Sequence, residues 1–174
     1  MPSPRSKTSP RLTLVLGGAR SGKSRHAEAL ISAHPAPWTY IATAQAFDEE
    51  MRDRIAEHRA RRDESWRTVD APLALHEAVA AAKGPVLVDC LTLWLTNLML
   101  GGHALKPAFT KLSEALAGAT GPIVLVSNEV GLSIVPDNAL ARAFRDEQGR
   151  LNQQIATLAD RVIFMVAGLP MVVK

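Results

Sequence analysis

Only one cysteine occurs among the 174 residues. Cys90 has no partner for an internal disulfide, so the fold closes without covalent staples, and a single thiol suits a reducing cytoplasm. The same scarcity excludes a cysteine-built zinc cluster, and no two of the five histidines stand at metal-ligand spacing. Aromatic residues are 5% of the chain and do not interleave with basic ones. The net charge of +3 is not gathered into a Lys/Arg run, so a nucleic-acid partner is not expected. Long apolar runs are missing too. The stretches at 79–82 and 162–168 fall far short of the roughly 20 residues that a membrane helix needs, so no membrane span is expected. The opening MPSPRSKTSP is polar and lacks the apolar segment of about 7–15 residues that marks a secretory signal. It reads as a disordered leader over residues 1–10, ahead of a single domain over 11–174.

Hydrophobic residues make up 47% and charged residues 21%, enough to bury a core. Strands are predicted at 12–16, 38–42, 67–69, 86–89, 123–127 and 162–166, with an edge strand at 170–173 after a turn at Gly168. Helices are predicted at 23–32, 49–62, 72–82, 91–100, 107–117 and 138–159. The helix at 72–82 is expected to start with Pro72 in its first turn, and Gly101–Gly102 to end the fourth. Short, continuously apolar strands alternating with helices indicate an α/β fold: a mostly parallel sheet with helices on both faces. Ligands of such sheets bind beyond the carboxyl ends of the strands.

One motif stands at such an end. Gly17, Gly18, Ala19, Arg20, Ser21, Gly22, Lys23 and Ser24 match the phosphate-loop pattern G-x-x-x-x-G-K-[ST], between a predicted strand and a predicted helix. Its glycines let backbone N–H groups converge on phosphate oxygens, helped by the helix dipole. Lys23 is expected to reach the β- and γ-phosphates, and the Ser24 hydroxyl to ligate Mg²⁺. Asp89 ends the apolar strand VLVD and is the candidate second metal ligand; the same position suits it to cap the helix that follows.

Residues 49–62 form a basic segment with a thin apolar face of Met51, Ile55, Ala56 and Ala60. Arg54, His58 and Arg61 or Arg62 share one side. Two readings stay open. The face is solvated, with Glu50–Arg54 and Glu57–Arg61 pairs at helical spacing, or it faces nucleotide phosphates with His58 as base or nucleophile. A neutral imidazole can attack phosphorus, and neighbouring arginines disfavour the imidazolium. Asn128 and Glu129 follow a predicted strand and are candidates for a substrate-side role. Asp137 or Asn138 is expected to cap the next helix.

The segments GGARSGKSRHAE, YIATAQAFDEEM, RIAEHRARR, WRTVDAP, VLVDCLTLWLTN and SNEVGLSIVP run in order through the chain. From about residue 12 to 174 it thereby resembles the bifunctional adenosylcobinamide kinase/adenosylcobinamide-phosphate guanylyltransferase family of cobalamin biosynthesis. The resemblance implies a RecA-like P-loop fold assembled as a homotrimer. It implies phosphorylation of adenosylcobinamide by ATP or GTP with Mg²⁺, then transfer of GMP from GTP through a guanylylated histidine. That histidine falls on His58, preceded by Glu57 where some relatives carry a second histidine. Nucleotide contacts map to Gly17 through Ser24, to Thr43, Ala44 and Gln45, to Arg59, Ala60, Arg61 and Arg62, and to Asp70 and Asp89. Lys23 and His58 are the expected catalytic residues, and Ser24 and Asp89 the metal pair. Asp70 and Asp89 stand where relatives often carry Glu, which keeps the charge and shortens the reach. The competing functions are a P-loop small-molecule kinase without guanylyl transfer, and a RecA-like nucleotide-binding switch module.

Overall fold

The computed structural model describes residues 10–46, 49–60 and 62–174, without the side chains at 50, 51, 54, 57 and 58. The leader expected over 1–10 lies outside the described residues except for Pro10. The strands are β1 (Leu12–Gly17), β2 (Trp38–Ala42), β3 (Trp66–Asp70), β4 (Val86–Asp89), β5 (Ile123–Asn128), β6 (Arg161–Val166) and β7 (Leu169–Val172). The helices are α1 (Lys23–Ser32), α2 (Glu49–Ala60), α3 (Leu75–Ala81), α4 (Leu91–Leu100), α5 (Leu105–Gly118) and α6 (Ala139–Leu158).

The strands form one sheet in the order β3-β2-β4-β5-β1-β6-β7. Every pairing is parallel except β6 with β7, a hairpin across Ala167 and Gly168. Successive strand residues point to opposite faces, and both faces are covered. In β4, Val86 and Val88 join the larger core with Leu91, Trp94, Leu112, Leu116, Leu151 and Ile155, while Leu87 joins a smaller one with Ala27 and Ile31 of α1. Strands buried on both sides need apolar residues at every position, which is why these segments read as continuous runs rather than as alternation. Trp94 is fully buried against Phe109, and its indole N–H donates to the Leu73 carbonyl at 3.0 Å.

Two helix starts differ from expectation. The helix predicted at 72–82 begins at Leu75. Residues 72–74 are held as a non-helical turn because the Pro72 carbonyl accepts from Asn97 Nδ2 and the Leu73 carbonyl from Trp94 Nε1. The helix predicted from Pro107 starts at Leu105. Proline in its first turn withholds an N–H that has no intrahelical partner there anyway. Helix α6 begins after Asn138, whose side chain accepts from the Ala141 N–H at 2.7 Å, so Asn138 rather than Asp137 is the cap.

The parallel register brings the carboxyl ends together. Asp70 pairs with Ala42, Ala42 with Asp89, and Gly17 with Asn128. The phosphate loop, two acidic residues and one carboxamide therefore share one edge of the sheet.

Candidate active site

The phosphate loop leaves β1 at Gly17 and enters α1 at Lys23. Gly22 caps the helix with φ +88°, in the left-handed region, and a Cβ there would stand 3.5 Å from the Cα of Gly168. Glycine is therefore required by backbone conformation, with the β6–β7 turn packed close beside it. Lys23 Nζ donates to the Gly18 carbonyl at 3.0 Å, folding the side chain back across the loop. Burial holds its pKa below the ordinary lysine value, against the opposing influence of Cys90 and Asp89. A desolvated ammonium gains more from a phosphate partner than an exposed one does.

Asp89 is not a helix cap: the cap position of α4 is Cys90, with no side-chain bond. One of its oxygens, Oδ2, accepts from the Tyr40 hydroxyl at 3.0 Å. The Tyr40 ring meets Trp66 edge-on, and Trp38 meets Trp66 at 5.1 Å. On this aromatic shelf lies the Arg62 guanidinium, 3.6 Å from the Tyr40 ring centroid. Its Nε and Nη1 are enclosed and have no hydrogen-bond partner among the described residues. Arg59 Nη2 donates to both carboxylate oxygens of Asp70, at 3.0 and 3.1 Å, and so ties α2 to the end of β3.

Between the phosphate loop and α2 opens a cavity of about 710 Å³. Of the residues singled out in the sequence, Lys23, Ser24, Ala44, Arg59, Arg62, Asp70, Asp89 and Asn128 line it. Thr43 belongs to its frame. This residue is fully buried; its hydroxyl donates to the Cys90 carbonyl at 2.7 Å and accepts from the Cys90 N–H at 2.9 Å. Asn97 Nδ2 donates to the Thr43 carbonyl at 2.8 Å, so the turn after β2 is also pinned to the body of α4. Gln45, Ala60 and the loop residues Gly17 to Gly22 are not among the lining residues. His58 stands in α2, but its side chain lies outside the described residues, as do Arg61 and the side chains of Glu50, Arg54 and Glu57 expected to form the ion pairs. No group of three or more His, Cys, Asp or Glu suited to a metal occurs among the described residues. Ser24 and Asp89 instead offer an oxygen pair, the donor type that Mg²⁺ takes when phosphates complete its shell.

Two features escaped the sequence reading. Tyr40 sits inside the apolar run WTYIA, where nothing marks its hydroxyl as the partner of Asp89. Gln148 and Asn152 were legible in principle, as polar residues on the same stripe of α6 as Leu151 and Ile155.

Lys23 and Ser24 of the phosphate loop, a strand-end acid and the arginines at the end of α2 on one cavity suit a bound nucleotide. A family model described as cobinamide kinase / cobinamide phosphate guanyltransferase, CobU, matches residues 13–173. The chain belongs to this family. It is 54% identical over 166 residues to the bifunctional adenosylcobalamin biosynthesis protein CobP of Pseudomonas aeruginosa, covering 92% of this chain and 96% of the relative. To the CobU protein of that description in Escherichia coli it is 43% identical, covering 94% and 99%. Among solved structures it is similar to a prototypical ATPase from a bacterial type III secretion system, with a TM-score of 0.55 and 13% identity. That match covers 90% of this chain, which spans about half the length of the ATPase. It supports the RecA-like P-loop fold and no more.

Proposed function

We propose that this protein phosphorylates adenosylcobinamide with ATP or GTP and then transfers GMP from GTP, through His58, to give adenosylcobinamide-GDP. The observation that carries the reading is the shared cavity, where Lys23 and Ser24 of the phosphate loop face Asp89 and the arginine end of α2. Family membership supplies the acceptor.

In the first reaction the acceptor hydroxyl oxygen bonds to the γ-phosphorus and its proton passes to a transferred phosphoryl oxygen or to water, while the bond from that phosphorus to the β–γ bridging oxygen breaks and the nucleoside diphosphate leaves. Such transfers depend mainly on positioning and on charge stabilisation. The loop N–H groups and the α1 N-terminus hold the phosphates, and Lys23 exchanges the Gly18 carbonyl for a phosphate oxygen. Ser24 and Asp89 would hold Mg²⁺, which when bound adds positive charge to the phosphate chain. In the second reaction an imidazole nitrogen of His58 bonds to the α-phosphorus of GTP and pyrophosphate departs. A phosphate oxygen of the phosphorylated corrinoid then attacks the same phosphorus, and the P–N bond breaks. The enclosed donors of Arg62 suit an anion, and Arg59 adds charge on the same cavity. Adenosylcobinamide and nucleotide are thus the partners. A single thiol suits the cytoplasm, and the family resemblance implies a homotrimer.

Purified protein incubated with Mg²⁺ and GTP labelled separately at the α- and γ-phosphates tests the scheme. The α-label is expected on wild-type protein, absent from His58→Ala and released by acid. Nucleotide binding without any α-label would remove the guanylyltransferase and leave a kinase.

A further inference from the structure

The end of β5 is held in an unusual way. Asn128, its last residue, has its backbone N–H donated to Thr92 Oγ1 at 2.8 Å, and its carbonyl accepts from Asn152 Nδ2 at 3.0 Å. Side chains from α4 and α6 thus hold the two peptide groups that flank this one residue. Asn152 is itself fixed: its Oδ1 accepts from Ser127 Oγ at 2.6 Å and from Gln148 Nε2 at 3.0 Å. Gln148 also donates to Ser127 Oγ at 3.0 Å. Ser127 and Gln148 are fully buried and Asn152 is 5% exposed. Polar groups in a core cost stability unless they bond to one another, and a connected set of them fixes a single geometry. What this set fixes is Asn128.

Asn128 stands beside Gly17 at the root of the phosphate loop, and the next residue, Glu129, donates its N–H to the Gly17 carbonyl. Asn128 lines the cavity with Lys23, Ser24 and Asp89. The carboxamide oxygen Oδ1 is enclosed and takes no hydrogen bond among the described residues. An enclosed acceptor is satisfied by a ligand that brings a donor. A carboxamide offers an acceptor and two donor hydrogens on one rigid plane. It can therefore receive the O–H of an alcohol at Oδ1 while Nδ2 donates to an oxygen of the adjacent phosphoryl group.

We propose that Asn128 is a catalytic residue of the phosphoryl transfer, clamping the acceptor hydroxyl against the terminal phosphate, and that Asn152 is the positioning residue that holds it. This rests on the kinase half of the function proposed above. An amide is not a base, so the clamp supplies orientation rather than proton removal. Attack at the α-phosphorus by His58 involves no acceptor hydroxyl, so guanylylation does not need the clamp.

The full-length protein and its Asn128→Ala and Asn152→Ala variants would be assayed for phosphoryl transfer to adenosylcobinamide, for GMP loading from α-labelled GTP without corrinoid, and for urea unfolding. Asn128→Ala is expected to lower kcat for phosphoryl transfer by about 100-fold, the loss typical of one well-placed polar contact to a reacting group. GMP loading, which involves no acceptor hydroxyl, is expected to fall less than phosphoryl transfer. Asn152→Ala is expected to show the same split at about 10-fold, with KM for GTP unchanged. A parallel fall in both reactions, or a kcat within twofold of wild type for Asn128→Ala, overturns the clamp. Wild-type protein that loads GMP but never phosphorylates the corrinoid overturns the kinase reading itself, and the clamp with it.

Discussion

Asp89 and Cys90 are neighbours with opposite duties. Asp89 faces the cavity under the Tyr40 hydroxyl, whereas Cys90 is buried, with its backbone N–H and carbonyl both bonded to Thr43. Burial, reinforced by the Asp89 charge, pushes the Cys90 thiol up to about 12. A thiolate is the reactive form, so the folded protein should resist alkylation by iodoacetamide at pH 8 and take up one equivalent after denaturation. Labelling of native protein at the rate of a free thiol would show that the strand end opens. The phosphate loop and Asp89 were legible in the sequence because their chemistry is written in local spacing. Tyr40 and Asn97 were not, because each acts through a partner 25 to 54 residues away.

The strands at 38–42 and 86–89 and the helices at 23–32 and 91–100 have the predicted bounds, since apolar runs and glycines delimit them. The start of α3 was hidden because carbonyls of the preceding turn are claimed by α4, a tertiary effect that no local pattern encodes. Helix α6 offers a test of its own. Gly149 lies inside it, and a Cβ built there meets no atom within 4 Å. Gly149→Ala should therefore stabilise the protein by about 0.5–1 kcal/mol, by removing backbone freedom from the unfolded chain. That corresponds to a rise in Tm of about 1–4 °C by calorimetry for a chain of this length. A fall would mean that the methyl group disturbs Gln148 next to it.

For the molecule as a whole, the surface after β5 is conspicuously apolar: Leu132, Ile134, Val135 and Leu140 are 82%, 93%, 63% and 61% exposed. Exposed apolar side chains of this kind mark interfaces, as the proposed homotrimer requires. Sedimentation equilibrium should return three times the chain mass of 18.7 kDa, and Ile134→Glu should reduce it. A wild-type mass equal to one chain would refute the trimer. The architecture also separates durability from activity. The large core lies under α3, α4, α5 and α6, whereas none of the described α2 side chains is buried, and Arg59 ties that helix to β3, the outermost strand on its side. Heat therefore has two targets of unequal strength, and the weaker one carries His58. Guanylyl transfer will fade while the sheet is intact, and it will return on cooling, because the scaffold on which α2 re-forms was never lost.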